Sequence, residues 1–330
     1  MGRKAVVTGV GHYAPKKILS NKDLEKMVET NDEWIVSRTG IRERRILEDG
    51  KGSSFMGYHA AKMILEERNI SPEEIDLIIV ATVTPDTVFP STACRIQDML
   101  GATNAWGFDL NGACTGYIFA LSTAAQFIEN GSHNKVLVIG SDKMSAITDY
   151  TDRSTCILFG DAGAAILLEP SEEEDYGVLD WILHCDGSGG EYLYMLGGGS
   201  LYPASHETVD KKMHYLYQDG RTVFKFAVTK MADISVEILE KNGLTGKDVK
   251  FFIPHQANLR IIDAAARRMG LDESQVVINI DRYGNTTAAT IPLALSEVYH
   301  DQKLQRGDYI VMAAFGAGFT WGSLLLRWAI

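Results

Sequence analysis

The chain has 330 residues, 45% hydrophobic and 23% charged, with 32 Lys plus Arg against 43 Asp plus Glu and a formal net charge of −11. That length supports one large or two medium cores, the composition is that of a globular protein rather than a disordered one, and the acidic balance argues against nucleic acid as a partner. No apolar run reaches membrane-spanning length, Met1-Gly2-Arg3-Lys4 does not read as a secretory leader, and Cys94, Cys114, Cys156 and Cys185 show no C-x-x-C spacing, so a cytoplasmic protein without membrane contact, disulfide framework or zinc site is expected.

A strand is expected at Ala5-Val6-Val7, then a polar helix over 21–29 and a charged stretch over 31–45. Trp34 and Arg38 stand one helical turn apart, which sets a flat ring beside a guanidinium. Such a pair can grip a nucleotide base, or it is a half-buried Trp in a solvated basic loop. Apolar residues at helical spacing predict a helix over 54–68, and the continuous apolar run 75–82 predicts a parallel strand buried on both faces. A loop at 85–90, a helix over 92–100 and a strand over 106–110 follow, and further on a helix over 118–129 leads to a strand over 135–141. Strands alternating with helices predict an α/β fold, a parallel or mixed sheet with helices on both faces.

Between the strand ending at Leu110 and the helix starting at Ile118 stands Asn111-Gly112-Ala113-Cys114-Thr115-Gly116-Tyr117. The unpaired N–H groups and partial positive charge of a helix start favour a thiolate, and flanking glycines allow a tight turn and close approach of a substrate. Cys114 is therefore a candidate nucleophile. Taken alone, a small apolar residue packed under a helix is the commoner meaning of such a cysteine.

Residues 170–222 differ in texture, with the acidic run Glu172-Glu173-Glu174-Asp175 and glycine-rich pieces at 187–190 and 197–199. The acidic run reads as a solvated turn, and the glycines, which lack the Lys-Ser/Thr of a phosphate loop, read as connecting loops over a site. From residue 223 the earlier pattern returns: Val249 answers Ile75, Asn285 answers Cys114 and Tyr309 answers Val136, at offsets of 174, 171 and 173 residues. That regularity implies a duplicated half. Two halves facing each other bring the turns at Cys114 and Asn285 toward one centre, and His255 ends a predicted strand of the second half, where α/β sheets hold ligands.

With residues 31–45, Gly112 to Gly116, Phe159-Gly160-Asp161-Ala162-Gly163-Ala164, His255 to Arg260, Gly284-Asn285-Thr286-Thr287-Ala288-Ala289 and Phe315-Gly316-Ala317-Gly318-Phe319-Thr320-Trp321-Gly322, the chain resembles the β-ketoacyl-acyl carrier protein synthase III family of the thiolase superfamily along essentially its whole length. The resemblance implies a thiolase-like α/β fold in five layers, α-β-α-β-α. Residues 1–170 would be the half carrying the cysteine, 171–222 connecting and covering loops, and 223–330 the half carrying His and Asn. It implies that Cys114 accepts an acyl group from an acyl-coenzyme A. His255 and Asn285 would then donate hydrogen bonds to the thioester carbonyl of malonyl-acyl carrier protein as carbon dioxide leaves, steadying the enolate.

The N–H of Cys114 and one from the loop of Phe315 and Ala317 would hold the second oxyanion, with Phe315 against the malonyl carboxylate. Ala317 stands where the family often has glycine, and alanine resists positive φ. By the same resemblance Trp34 and Arg38 sandwich the adenine of coenzyme A, with Arg153 as a further contact. Phe159 lines the acyl pocket, which Phe89 enters from the other subunit of a homodimer. Lys225, Gln256, Asn258, Arg260, Arg267 and Arg268 would dock the acidic carrier protein. Arg260, Arg267 and Arg268 share one helix face, and a cationic face on an acidic protein steers such a partner. No cofactor or metal is implied beyond the thioester substrates. Thr115 and Tyr117, in place of the smaller Ala and the Phe often found there, bear on substrate choice, for which a short primer such as acetyl is expected. The alternatives are a sister condensing enzyme taking longer or branched acyl groups, a cysteine hydrolase, for which Asn285 would be idle, and a non-catalytic binding module, which would need none of Cys114, His255 and Asn285.

Overall fold

The computed structural model describes residues 2–330. Its first half runs through β1 (Lys4–Tyr13), the β2 (Lys17–Ser20) and β3 (Glu43–Ile46) hairpin enclosing α1 (Asn21–Leu24) and α2 (Asp32–Thr39), then α3 (Ser53–Arg68), β4 (Leu77–Ala81), α4 (Thr92–Leu100), β5 (Trp106–Leu110), α5 (Gly116–Glu129), β6 (Val136–Lys143) and β7 (Asp161–Ser171). A middle stretch holds β8 (Gly177–Cys185), β9 (Leu193–Tyr194), α6 (His206–Asp210) and β10 (Tyr217–Gln218). The second half is α7 (Gly220–Lys241), β11 (Val249–Pro254), α8 (Leu259–Met269), α9 (Ile280–Tyr283), α10 (Thr290–His300), β12 (Tyr309–Gly316) and β13 (Thr320–Arg327).

Two large sheets form, in the orders β1-β7-β6-β4-β5 and β11-β12-β13-β8, beside the two-stranded pairs β9-β10 and β2-β3. Strands β4, β5 and β6 pair in parallel, as do β11 and β12, while the remaining large-sheet pairings are antiparallel. Three apolar cores separate the five layers. One lies between α3, α4 and the outer face of the first sheet, one around α5 and α10 between the sheets, and one between the second sheet and α7 and α8. Helix α5 is apolar nearly all round, with Tyr117, Ile118, Leu121 and Ile128 buried, as a helix sandwiched between two sheets must be.

The sheets repeat each other. Strand β8 takes the place of β1, β11 of β4, β12 of β6 and β13 of β7, and the counterpart of edge strand β5 is reduced to one bridge between Phe252 and Val276. Each central helix is entered through a one-turn 3₁₀ segment, Ala113–Thr115 before α5 and Thr287–Ala289 before α10. Both segments open on a left-handed residue that is not glycine, Ala113 at φ 47° and Thr287 at φ 53°. That register pairs Cys114 with Ala288, so Asn285 stands three residues earlier in its turn than the repeat offsets suggest.

Two expectations need correction here. The helix expected over 21–29 ends at Leu24 and continues as tight turns, with the N–H groups of Lys26 and Met27 bonding to Asp23 and Leu24, three residues back. The span 171–222 is not wholly connecting loop, because β8 within it pairs along its length with β13 as the edge of the second sheet. Asp180 and His184 interrupt its apolar run, and most of the strand is only half-buried, which hides it among the neighbouring acidic and glycine-rich stretches.

Candidate active site

Parallel strands of one sheet carry their ligands at their carboxyl ends. Strand β5 ends at Leu110 and delivers Cys114 four residues later, while β11 ends at Pro254 and delivers His255 immediately. A bridge between Phe159 and Asn285 fixes the third group: Asn285 N–H donates to Leu158 O (2.9 Å) and Gly160 N–H donates to Asn285 O (3.0 Å). All three residues line one cavity of about 1020 Å³.

Cys114 is 8% exposed. Its left-handed neighbour Ala113 costs about 1 kcal/mol, and the turn is tied down by Thr320 Oγ1, which donates to Gly112 O at 3.1 Å. Gly316 lies directly against it, where a Cβ would come within 2.8 Å of Cys114 N and 3.2 Å of its Cβ, so only glycine fits. Burial, and secondarily the charge of Asp142, push the thiol up to about 12, against its own N–H and the side-chain amide of Asn285, which favour the thiolate. Desolvation therefore outweighs the helix start, and the resting sulfur is a thiol.

His255 is fully buried, and desolvation pushes it down to about 3, so the ring is neutral at any physiological pH. Its Nδ1 lies 2.7 Å from Thr290 Oγ1, and its Nε2 has no partner. Asn285 Oδ1 accepts the N–H of Thr287 (2.9 Å), which leaves the NH₂ end of the amide for the sulfur of Cys114. The result is a thiol, a neutral imidazole with one free nitrogen and an oriented amide converging on one cavity.

Two other residues that build the site are not singled out by the sequence reading. Asp142, at the end of β6, is wholly buried: one oxygen accepts from Val83 N, Thr84 N and the hydroxyls of Thr82 and Thr84, the other from Ala288 N at 3.1 Å. It thus clamps the second half's turn onto the first sheet. Its signal is an acidic residue ending a buried parallel strand. Gly316 is inside a motif quoted above, but only the structure reveals that it touches Cys114.

The other expected residues divide. Trp34, Arg38, Asn258, Arg260, Phe159, Phe315 and Ala317 line the cavity. Phe159 packs with Met144 and Leu216, which also line the cavity, and Phe315 packs against Phe319 with ring centroids 4.9 Å apart. Ala317 is not left-handed; the φ of 138° falls on Gly318, so the alanine carries no strain. The cation over the Trp34 ring is Arg153, 5.5 Å from its centroid and held by Glu29 O, rather than Arg38.

Arg260, Arg267, Arg268 and Lys225 are exposed, Arg260 over the ring of Phe224 and Arg268 paired with Asp233 at 3.3 Å. Gln256 is not a docking residue: it is fully buried, its amide donating to Pro254 O and Val277 O and accepting from Asn279 N. Asn258 caps α8 through Arg260 N and donates to Arg38 O, so both ends of its amide are occupied. Phe89 is 84% exposed and does not line this chain's cavity. Thr115 and Tyr117 do not line it either; Thr115 Oγ1 donates to Thr320 O (3.2 Å), and Tyr117 lies in the central core.

Among the described residues no group of three or more His, Cys, Asp or Glu is placed to hold a metal ion, and no helix is long and apolar enough to cross a membrane.

Comparison with known proteins gives consistent matches. Residues 108–187 match the model of 3-oxoacyl-[acyl-carrier-protein] synthase III and residues 239–328 that of its C-terminal part. The chain is 58% identical over 327 residues to the β-ketoacyl-[acyl-carrier-protein] synthase III of Chlorobium chlorochromatii, covering 98% of this chain and 99% of the other. It is 55% identical over 328 residues to that of Koribacter versatilis, covering 99% and 98%. The crystal structure of 3-oxoacyl-[acyl-carrier-protein] synthase III from Aquifex aeolicus superposes with a TM-score of 0.90 at 45% identity, covering 98% of this chain and 100% of that one. Identity of this order along almost the entire length means that the chain belongs to the β-ketoacyl-[acyl-carrier-protein] synthase III family.

Proposed function

We propose that this cavity carries out the priming condensation of fatty-acid synthesis, joining an acyl group from acyl-coenzyme A to malonyl-acyl carrier protein. Cys114 attacks the acyl thioester, coenzyme A leaves as its thiol, and the acyl group stays on the sulfur. Malonyl-acyl carrier protein then presents its thioester carbonyl to His255 Nε2 and the Asn285 amide. The C–C bond to the carboxylate breaks, carbon dioxide departs, and the electron pair passes into that carbonyl oxygen. Two fixed donors stabilise the enolate where charge develops. The enolate carbon attacks the acyl carbonyl, the Cys114 sulfur is expelled as a thiolate that takes up a proton from solvent, and 3-oxoacyl-acyl carrier protein leaves. The observation that carries the reading is the neutral, singly unpartnered His255 converging with Asn285 on Cys114.

The close packing of Gly316 on Cys114 supports an oxyanion site made by Cys114 N–H and the loop of Phe315 and Ala317. Trp34, Arg38 and Arg153 at the exposed end take the adenine nucleotide, and Lys225, Arg260, Arg267 and Arg268 receive the carrier protein. The acyl group sits against Met144, Phe159 and Leu216, which pack together in the cavity lining, and a short primer such as acetyl is the expected donor. Exposed Phe89 enters the acyl pocket of the other subunit in a homodimer. No step is assigned to a metal or cofactor, and the enzyme works in the cytoplasm on soluble thioesters.

Intact-protein mass spectrometry tests this. Acetyl-coenzyme A is expected to add one acetyl group to the wild type and none to Cys114→Ala, and malonyl-acyl carrier protein to discharge it as acetoacetyl product. An adduct formed only with a longer acyl donor would move the chain to a sister condensing enzyme. No adduct with any donor would remove the mechanism.

A further inference from the structure

His255 keeps one ring nitrogen on a threonine and leaves the other bare. Thr290 and His255 are each 2% exposed, so no water competes for this contact. A neutral imidazole holds one proton, and the partner of one nitrogen decides which nitrogen carries it. The Thr290 hydroxyl likewise has one proton, and two acceptors stand within reach: His255 Nδ1 at 2.7 Å and Thr287 O at 3.1 Å.

The two choices have opposite chemistry. If the hydroxyl donates to Thr287 O, its oxygen accepts from Nδ1–H and leaves Nε2 able only to accept. If it donates to Nδ1, the ring proton must sit on Nε2, where it becomes a donor facing the cavity. Two observations favour the second. The contact to Nδ1 is the shorter, and Thr287 O already accepts the backbone N–H of Thr290, so it does not need the hydroxyl. Thr290 also opens α10, whose amino end carries partial positive charge and disfavours an imidazolium beside it. The repeated half has Gly116 at the matching position, so the hydroxyl belongs to the histidine side of the site alone.

We infer that Thr290 is a positioning residue whose hydroxyl donates to Nδ1 and so holds His255 as its Nε2–H tautomer, the form able to donate to the malonyl thioester carbonyl. The inference rests on the decarboxylating role given to His255 above. No proton moves at His255: the hydrogen bond tightens as the electron pair of the breaking C–C bond enters the carbonyl oxygen and relaxes as that pair forms the new C–C bond.

The test is ¹⁵N NMR of histidine-labelled full-length protein, with His255→Ala identifying the resonance, combined with acylation and condensation assays on Thr290→Val and Thr290→Ser. Wild type and Thr290→Ser are expected to show a protonated Nε2 and a bare Nδ1. Thr290→Val is expected to lose that single tautomer, with condensation kcat falling about a hundredfold while Cys114 acylation and the KM for malonyl-acyl carrier protein move far less. Thr290→Ser is expected to condense within a few-fold of wild type. A wild type that condenses with the proton on Nδ1, or a Thr290→Val enzyme that condenses at the wild-type rate, would overturn the inference and leave the synthase reading intact. A wild type that neither acylates nor condenses would overturn both.

Discussion

Burial makes both reactive groups neutral, in opposite directions: the Cys114 thiol is pushed up to about 12 and His255 down to about 3. A raised thiol pKa means that the thiolate fraction, and with it the alkylation rate, climbs with pH beyond the range in which a free cysteine, near 9, has already levelled off. Iodoacetamide should therefore label Cys114 slowly at neutral pH and faster up to the alkaline limit of the fold; a rate already flat from mildly acidic pH would mean that the helix start dominates instead. Gly316 is the second residue on which the site turns. Gly316→Ala puts a methyl 2.8 Å from Cys114 N, so acylation should fall by roughly tenfold or more, as expected for small displacements of reacting groups. Unaltered acylation would separate that loop from the nucleophile.

At the scale of elements, β4 was legible because a parallel strand buried on both faces reads as a continuous apolar run. Strand β8 was not, since an edge strand with Asp180 and His184 in it lacks both a clean alternation and an apolar run. Cys114, His255 and Asn285 were singled out by motif order and line one cavity, whereas Gln256 could not be assigned: a polar residue beside His255 looks available until its amide is found satisfied inside the protein.

Asp142 joins elements that no local pattern connects, the ends of β4 and β6 and the turn before α10. Asp142→Asn turns a donor toward Ala288 N–H and should cost about 1–3 kcal/mol in denaturant unfolding. Burial raises the folded carboxyl to about 6 from 3.8, so between these values the native state binds more protons than the unfolded chain. Stability of wild type relative to Asp142→Asn should accordingly decline as pH rises through that window and stay level above it. The opposite slope would mean that the five accepted hydrogen bonds outweigh desolvation.

For the whole molecule, duplication explains why one cavity draws on both halves. Helices α5 and α10 point their amino ends at the centre, one behind Cys114 and the other behind His255 and Asn285, so one end favours a thiolate and the other a neutral ring. On a chain of net charge −11, exposed Arg260, Arg267 and Arg268 on α8 form a local exception. Reversing Arg267 and Arg268 to Glu should raise the KM for malonyl-acyl carrier protein several-fold and flatten its salt dependence. Acylation by acyl-coenzyme A should move less. An unchanged KM would send the carrier elsewhere.

The division of labour within the site is the central claim, and it is tested most directly by following carbon dioxide release and Cys114 acylation in His255→Ala and Asn285→Ala. Both variants should still acquire the acyl group on Cys114 while release of carbon dioxide from malonyl-acyl carrier protein falls about a hundredfold or more. Loss of acylation with decarboxylation preserved would contradict the account, because His255 and Asn285 would then serve the thiol rather than the enolate.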